Sequence, residues 1–454
     1  MKNETLDFSN AGAITTKRVF LMSMPIFVEL LLQMLVGNVD QFMLSSYSQI
    51  SVAAIGNSNL IMNLIIVVFS VMGSATTILV SQYIGAKKRD KIDETCTVSL
   101  LIVFVAGVIA TLIVVVFSPN ILDLLHAPEE IKSQAVTYLR IVGVSILIQG
   151  FYFNFAAFIR SFSLMKYVML VSVIMNLTNI FGNAVLINGY LGFPRLGIAG
   201  AAISTSISKC IGLGVMIYTF RKKLSVKLSF SYIKHLSFDT VKRILRIAIP
   251  SGGEGFSYNL SQIAIMGFIN TFGTAVITTK VYSSMMANVA YVYAIAISQA
   301  NQIAMGYLIG GNHKDKVPKR VWSTVFISLF VCVGVTLLLL LNSDFAYGIF
   351  TDNQEVLQLG SRILKVELLL EIGRAINIVM VNALCAAGDI KMPIVTGITF
   401  QWAVAVLLSY LLGVHFGFGL VGIWAAMAFD ENCRGIIYVF RFLSGKWKKK
   451  SVMH

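Results

Sequence analysis

Twelve apolar stretches divide this chain, centred near Leu31, Val67, Ala106, Ile146, Met175, Gly212, Ile263, Ala290, Phe330, Leu370, Val406 and Met427. Each approaches the roughly 20 consecutive apolar residues that a helix needs to cross a bilayer core of about 30 Å. Lipid offers no hydrogen bonds, so a spanning segment must satisfy its backbone internally, as a helix does. Composition agrees: 57% of residues are hydrophobic and 13% charged, where soluble domains carry roughly 25% charge. A soluble globular protein is excluded. The first apolar stretch begins near Arg18 without a small-residue cleavage site, so a retained span is expected there.

Lys and Arg number 36 against 21 Asp and Glu, a formal charge of +15. Position decides what that excess means. Lys87, Lys88, Arg89 and Lys91 follow the second span, Arg160 and Lys166 the fourth, and a cluster from Arg221 to Arg246 the sixth. Lys314, Lys316, Lys319 and Arg320 follow the eighth span, Lys391 the tenth, and Lys446 with Lys448 to Lys450 close the chain. The alternate connections are nearly bare, with Lys132 and Arg195 the main exceptions. Basic residues accumulate on the cytoplasmic side, so both termini are expected there, in a multi-pass plasma-membrane protein surrounded by lipid. The charge reads as topology, and no nucleic-acid partner is expected. The five cysteines show no CxxC spacing, so neither a disulfide framework nor a zinc site is supported. No HExxH, GxSxG or Walker A motif is present, and no enzyme activity is expected.

A single offset of 225 residues relates Pro25 to Pro250, Glu29 to Glu254, Gly85 to Gly310, Asp90 to Asp315 and Lys91 to Lys316. It also relates Lys166 to Lys391, Gly197 to Gly422, Ile198 to Ile423 and Ala201 to Ala426. One gapless offset across six spans marks a duplication. An even number of spans per repeat makes the repeats parallel. The expected fold is therefore an all-α membrane protein of twelve transmembrane helices in two six-helix lobes around a central cavity. The boundaries read as an N-terminal lobe over 1–220, a basic cytoplasmic linker over 221–245, a C-terminal lobe over 246–445 and a basic tail over 446–454. Such a pair of lobes suffices as a monomer.

Polar residues inside the spans require a reason, because a charge at mid-bilayer costs at least about 2.5 kcal/mol. Glu29, Gln33 and Asp40 recur on one face of the first span, and Asp40 reads as a titratable site facing a cavity, although an aspartate near a helix end can also be a cap. Asn176, Asn179 and Asn183 share a face of the fifth span, and Asn154 lies on the fourth. Amides of this kind bind substrates or join helices. The offset pairs Asp40 with Ile265, so the acid has no counterpart in the second repeat. That repeat instead carries Glu254, Glu367, Glu371, Arg374, Asp430, Glu431 and Arg434. Glu371 with Arg374, and Asp430 with Arg434, have the spacing of neutralising pairs within one helix.

These features together resemble the multidrug and toxic compound extrusion (MATE) family of the multidrug, oligosaccharidyl-lipid and polysaccharide exporter group. The likeness covers essentially the whole chain. Asn38-Val39-Asp40 before Met43 looks like the family's span-one acidic motif, and Ile249-Pro250-Ser251 followed by Glu254 like its span-seven motif. Leu384, Ala386, Ala387, Gly388, Asp389 and Pro393 look like its span-ten exit, and Leu196 to Thr205 like its Gly-rich entry to span six. Cys385 stands where the exit commonly has arginine, which reads as drift. The resemblance implies a cation-coupled antiporter that exports lipophilic, cationic drugs or toxic metabolites by alternating access. In it Asp40, with Asn179 and Asn183, holds the coupling ion, the proton being favoured over Na+, and Na+ at Asp40 is the one metal candidate. Glu29, Gln33, Asn154, Asn176, Glu254, Glu371, Arg374 and Asp430 are the expected polar residues of the cavity. No cofactor is implied. Some members carry an acid at the second span-five position or at Arg374, where this chain differs. A lipid or lipid-linked saccharide flippase of the same group is the alternative, and a channel or receptor the alternative of another class.

Overall fold

The computed structural model describes residues 15–45, 48–125, 127–229, 231–234 and 237–450, and of these the side chains of 35–42, 45 and 49 lie outside the description. Twelve long helical segments follow one another: α1 Thr16–Ser45, α2 Gln49–Gly85, α3 Arg89–Leu124, α4 as two arms Glu129–Val144 and Ile146–Ser161, α5 Met165–Asn188 and α6 Ile198–Lys223. Then come α7 Phe238–Ile269, α8 Thr274–Gly310, α9 Val317–Leu341, α10 Gln354–Ala386, α11 from Lys391 to His415 and α12 Gly419–Leu443. The arms of α4 meet at a 47° bend, and α11 passes from α-helix into π-helical turns at Gln401. Among the described residues, eight helices are long and apolar enough to cross a membrane, and the bent α4 makes nine. The other three long helices are α1, α7 and α12. Outward-facing apolar rows complete the membrane signature: Val105, Ile109, Leu112, Val116 and Phe117 on α3, and Phe326, Phe330, Leu337 and Leu341 on α9, are exposed. Large contiguous apolar surface of this kind requires lipid.

The duplication is written into the backbone as well. Lys87 and Asn312 take φ of +57° and +62°, Ser163 and Gly388 +60° and +88°, and Gly192 and Gly417 +82° and +74°. Each pair is 225 residues apart. The left-handed region is costly for residues with a Cβ, so its recurrence at three matched turns records a shared architecture.

The chain divides into two compact units. Val28–Ala248 forms one, and Ile249 onward forms the other together with the start of α1 up to Phe27. Leu44, Phe69, Val103, Leu139 and Ile187 lie in the core of the first. The second has a core around Met305, Val321, Val379 and Tyr438, and another around Ile265, Ile363, Leu370 and Trp424. The polar segment after α6 is tied to the first unit at the start of α3. Arg89 donates to the Ser225 carbonyl at 2.7 Å, the Lys227 N–H donates to Asp93 Oδ1 at 3.1 Å, and the Thr240 hydroxyl donates to Glu94.

Candidate functional site

In the first unit, α1 and α4 meet in a buried ion pair. Arg160 Nη2 lies 2.6 Å from Glu29 Oε1, and the Glu29 side chain is 2% exposed. Arg160, which the charge pattern reads as a loop-flanking base, sits in the last turn of α4. Gln33 Nε2 donates to the same carboxylate oxygen at 3.4 Å. On α5, Asn176, Asn179 and Asn183 are all buried, as their shared helical face requires. Asn179 Nδ2 donates to Thr205 Oγ1 at 3.3 Å, and Asn154 Nδ2 to Ser99 Oγ at 3.2 Å. Asn154 Oδ1 and Asn179 Oδ1 are buried with no hydrogen-bond partner among the described residues. The side chain of Asp40 lies outside the described residues, so its relation to these amides is a matter for proposal.

The second unit gathers its charges between α7, α10, α11 and α12. Gly373 on α10 permits the close crossing, since a Cβ there would stand 2.5 Å from the Asn432 backbone nitrogen on α12. Arg374 pairs with Glu367 at 2.9 Å and with Glu371, and its guanidinium lies 4.7 Å from the centre of the Tyr291 ring. Arg434 pairs with Asp430 at 2.6 Å and with Glu431 at 2.8 Å. Both predicted helix-internal pairs are therefore formed, and each guanidinium also reaches another acid. Trp424 Nε1–H donates to Glu367 Oε2 at 2.6 Å, and Asn377 donates to Glu431. Gln401 Nε2 donates to Glu254 Oε1 at 2.9 Å, while Ser257 donates to Gln401 Oε1 at 2.7 Å. A cavity of about 20 Å³, enough for one water molecule, is lined by Tyr258, Ser261, Gln401, Asp430, Arg374 and Arg434 among others. Among the described residues, no three His, Cys, Asp or Glu side chains converge into a metal-binding group.

Sequence reasoning overlooked Arg160, Gln401 and Trp424 as partners of these acids, and Tyr291 as the ring against Arg374. For two of them a signal was present: the 225 offset takes Arg160 to Cys385 and Gln401 to Asn176. Trp424 and Tyr291 carry no such mark.

The MatE family model matches residues 25–185 and 250–411, two stretches that begin 225 residues apart and together cover most of the chain. The chain belongs to the MatE family. An uncharacterized transporter of Bacillus subtilis (strain 168), YisQ, is 36% identical to this MatE protein over 437 residues, 96% of each chain. A probable multidrug resistance protein NorM of Thermotoga maritima is 25% identical over 442 residues, 96% of this chain and 94% of the relative. Among solved structures, MATE in the bent conformation superposes with a TM-score of 0.90 at 18% identity, covering 98% of this chain and 99% of that one. A MOP superfamily transporter from Pyrococcus furiosus gives 0.87 at 18% identity, covering 96% of this chain and 97% of that one. These likenesses carry the fold of twelve helices in two lobes. MatE proteins are transporters: they sit in lipid, bind small-molecule substrates and rely on ion coupling in place of a cofactor.

Proposed function

We propose that this MatE protein is a cation-coupled antiporter that exports lipophilic organic cations by alternating access, with the proton as the coupling ion and both termini cytoplasmic. The supporting observation is the pair of buried amide oxygens, Asn154 Oδ1 and Asn179 Oδ1, that accept no hydrogen bond from any of the described residues. Buried acceptors are normally paired, so unused ones in membrane helices suit a ligand that brings a positive charge or a proton. Asp40 is the acid that works with Asn179 and Asn183. A carboxylate there holds a cationic substrate, and protonation releases it, so proton and substrate compete for one charge. A proton crossing 100 mV supplies about 2.3 kcal/mol, and each pH unit about 1.4 kcal/mol. Substrate gradients of roughly ten- to a few-hundredfold follow from these figures.

The flippase alternative calls for cavity cations free to hold pyrophosphate. Of the candidate cations Lys209, Lys280, Arg374 and Arg434, the two arginines are committed to carboxylates, which favours the antiporter. The test is efflux of a fluorescent lipophilic cation from membranes expressing wild type or Asp40→Asn, driven in turn by an imposed proton or sodium gradient. Efflux lost in the variant supports the reading, and the effective gradient identifies the ion. Full efflux by Asp40→Asn refutes the assignment of that residue.

A further inference from the structure

In the first unit, the outward apolar rows of α5 and α6 both run into lysine. On α5, Lys166, Leu170, Leu177 and Phe181 recur at helical spacing, and all four are exposed. On α6 the exposed row is Ile207, Ile211, Tyr218 and Lys222. One ring joins the two ends. Lys223 of α6 and Lys166 of α5 stand over Tyr167, their ammonium nitrogens 5.1 and 5.3 Å from its centre. Beside them Lys222 lies 5.2 Å from the centre of the Tyr218 ring and donates to the Tyr218 hydroxyl at 2.9 Å. Arg221 completes the group, and among the described residues Arg221, Lys222 and Lys223 form no ion pair with a carboxylate. An aromatic ring attracts an ammonium through its quadrupole but leaves the charge unneutralised. Cations from two helices therefore gather, without a counter-charge, at the head of a surface made for hydrocarbon.

The matching corner of the second unit is closed by protein. The 225 offset takes Tyr167 to Met392 and Lys222 to Trp447, while Arg221 and Lys223 remain basic as Lys446 and Lys448. Trp447 is 1% exposed, lies flat on Phe442 with ring centres 5.2 Å apart, and gives its Nε1–H to the Phe442 carbonyl at 2.9 Å. Met392 packs against the same apolar cluster. A buried indole thus fills in one repeat the position that the other leaves to an exposed lysine.

We propose that the α5–α6 corner of the first unit binds one anionic phospholipid, its phosphate held by Lys166, Lys222 and Lys223 and its acyl chains lying along the two exposed rows. Basic residues between spanning helices at the membrane surface are the chemistry that recognises acidic headgroups. The sign of the cluster excludes a cationic occupant, and the apolar rows call for chains that a free phosphate lacks. The site stands apart from Asp40 and from the acids of the second unit, so it goes beyond the antiporter reading and does not depend on it.

The test is native mass spectrometry of the purified protein in detergent, titrated with phosphatidylglycerol or with phosphatidylcholine of the same chain length. Wild type should retain one phosphatidylglycerol in preference to phosphatidylcholine. Each lysine near an acidic headgroup is worth about fivefold in affinity. Lys222→Gln should therefore weaken that first phosphatidylglycerol about fivefold, and Lys222→Gln with Lys223→Gln about 25-fold, with phosphatidylcholine unchanged. An unchanged melting temperature in lipid-free detergent verifies that the variants are folded, and the single variant alters only an exposed side chain. Lys446→Gln with Lys448→Gln removes as much charge at or beside the matched corner and should keep the preference. Equal retention of the two lipids by wild type overturns the proposal. So does an equal loss of preference in the Lys446→Gln, Lys448→Gln variant, which marks attraction by net charge alone, or displacement of the lipid by millimolar inorganic phosphate, which shows that the apolar rows take no part.

Discussion

Replacing Arg160 by methionine keeps most of the side-chain volume and removes the charge, leaving Glu29 with the Gln33 amide but no counter-charge from α4. Guanidinium and carboxylate atoms stand 2.6 Å apart, with side-chain exposures of 20% and 2%. Charge centres about 4 Å apart at an effective dielectric of 20 attract by about 4 kcal/mol. Breaking a buried pair from one side costs about 3–5 kcal/mol, because the remaining charge is stranded. The partial exposure of Arg160 places the expected loss near the lower figure, about 3 kcal/mol. Removing both charges strands nothing, so Glu29→Gln with Arg160→Met should lose less than Arg160→Met alone. Equilibrium unfolding in mixed micelles, followed by the loss of helical circular dichroism, gives all four corners of the double-mutant cycle. The coupling should reach about 2 kcal/mol, well outside the roughly 0.5 kcal/mol within which independent sites add. Additivity within that margin, or an Arg160→Met variant as stable as wild type, would show that the pair does not support the first unit.

Three further outcomes follow from the geometry. Gly373→Ala drives a Cβ against the Asn432 backbone of α12 and should destabilise by about 1–3 kcal/mol through overpacking, seen as a lower melting temperature in detergent. Trp424→Phe removes the donor to Glu367 Oε2 and leaves a buried acceptor unmet; a loss of about 1–3 kcal/mol is expected by the same measurement. Asp93→Ala removes the acceptor of the Lys227 N–H, so limited trypsin digestion should cut faster in the basic segment after α6 than in wild type; an unchanged rate would mean that the tie does not hold that segment.

Much of the architecture was legible because membranes impose it on sequence. The apolar stretches and the 225 offset reappear as helices and as the matched left-handed turns at Lys87 and Asn312. Even the helix-internal pairs of Arg374 and Arg434 followed from spacing alone. Partners on different helices did not follow. Arg160 reads as one more cytoplasmic base until α4 brings it to Glu29, and Gln401 has no local signature, since its role depends on the approach of α7 to α11. At Cys385 the second repeat has a thiol where the first has Arg160, so a charge that stands beside Glu29 is missing beside Glu254.

That missing charge is visible because a duplicated chain carries its own control. In lipid, a carboxylate near a guanidinium is a closed unit that cannot release its counter-charge without the helix itself moving. An amide neutralises nothing; it only orients the carboxylate and leaves its charge to be met by something else. Glu29 with Arg160 is therefore a closed pair in the first unit, while Glu254 is met by the Gln401 amide beside guanidiniums, Arg374 and Arg434, that other acids already share. The asymmetry of Asp40 and Ile265 runs the other way, giving the first unit an acid that the second lacks. The two repeats have thus diverged at their acids while the backbone register held, and it is in those side chains that a role beyond packing is to be sought.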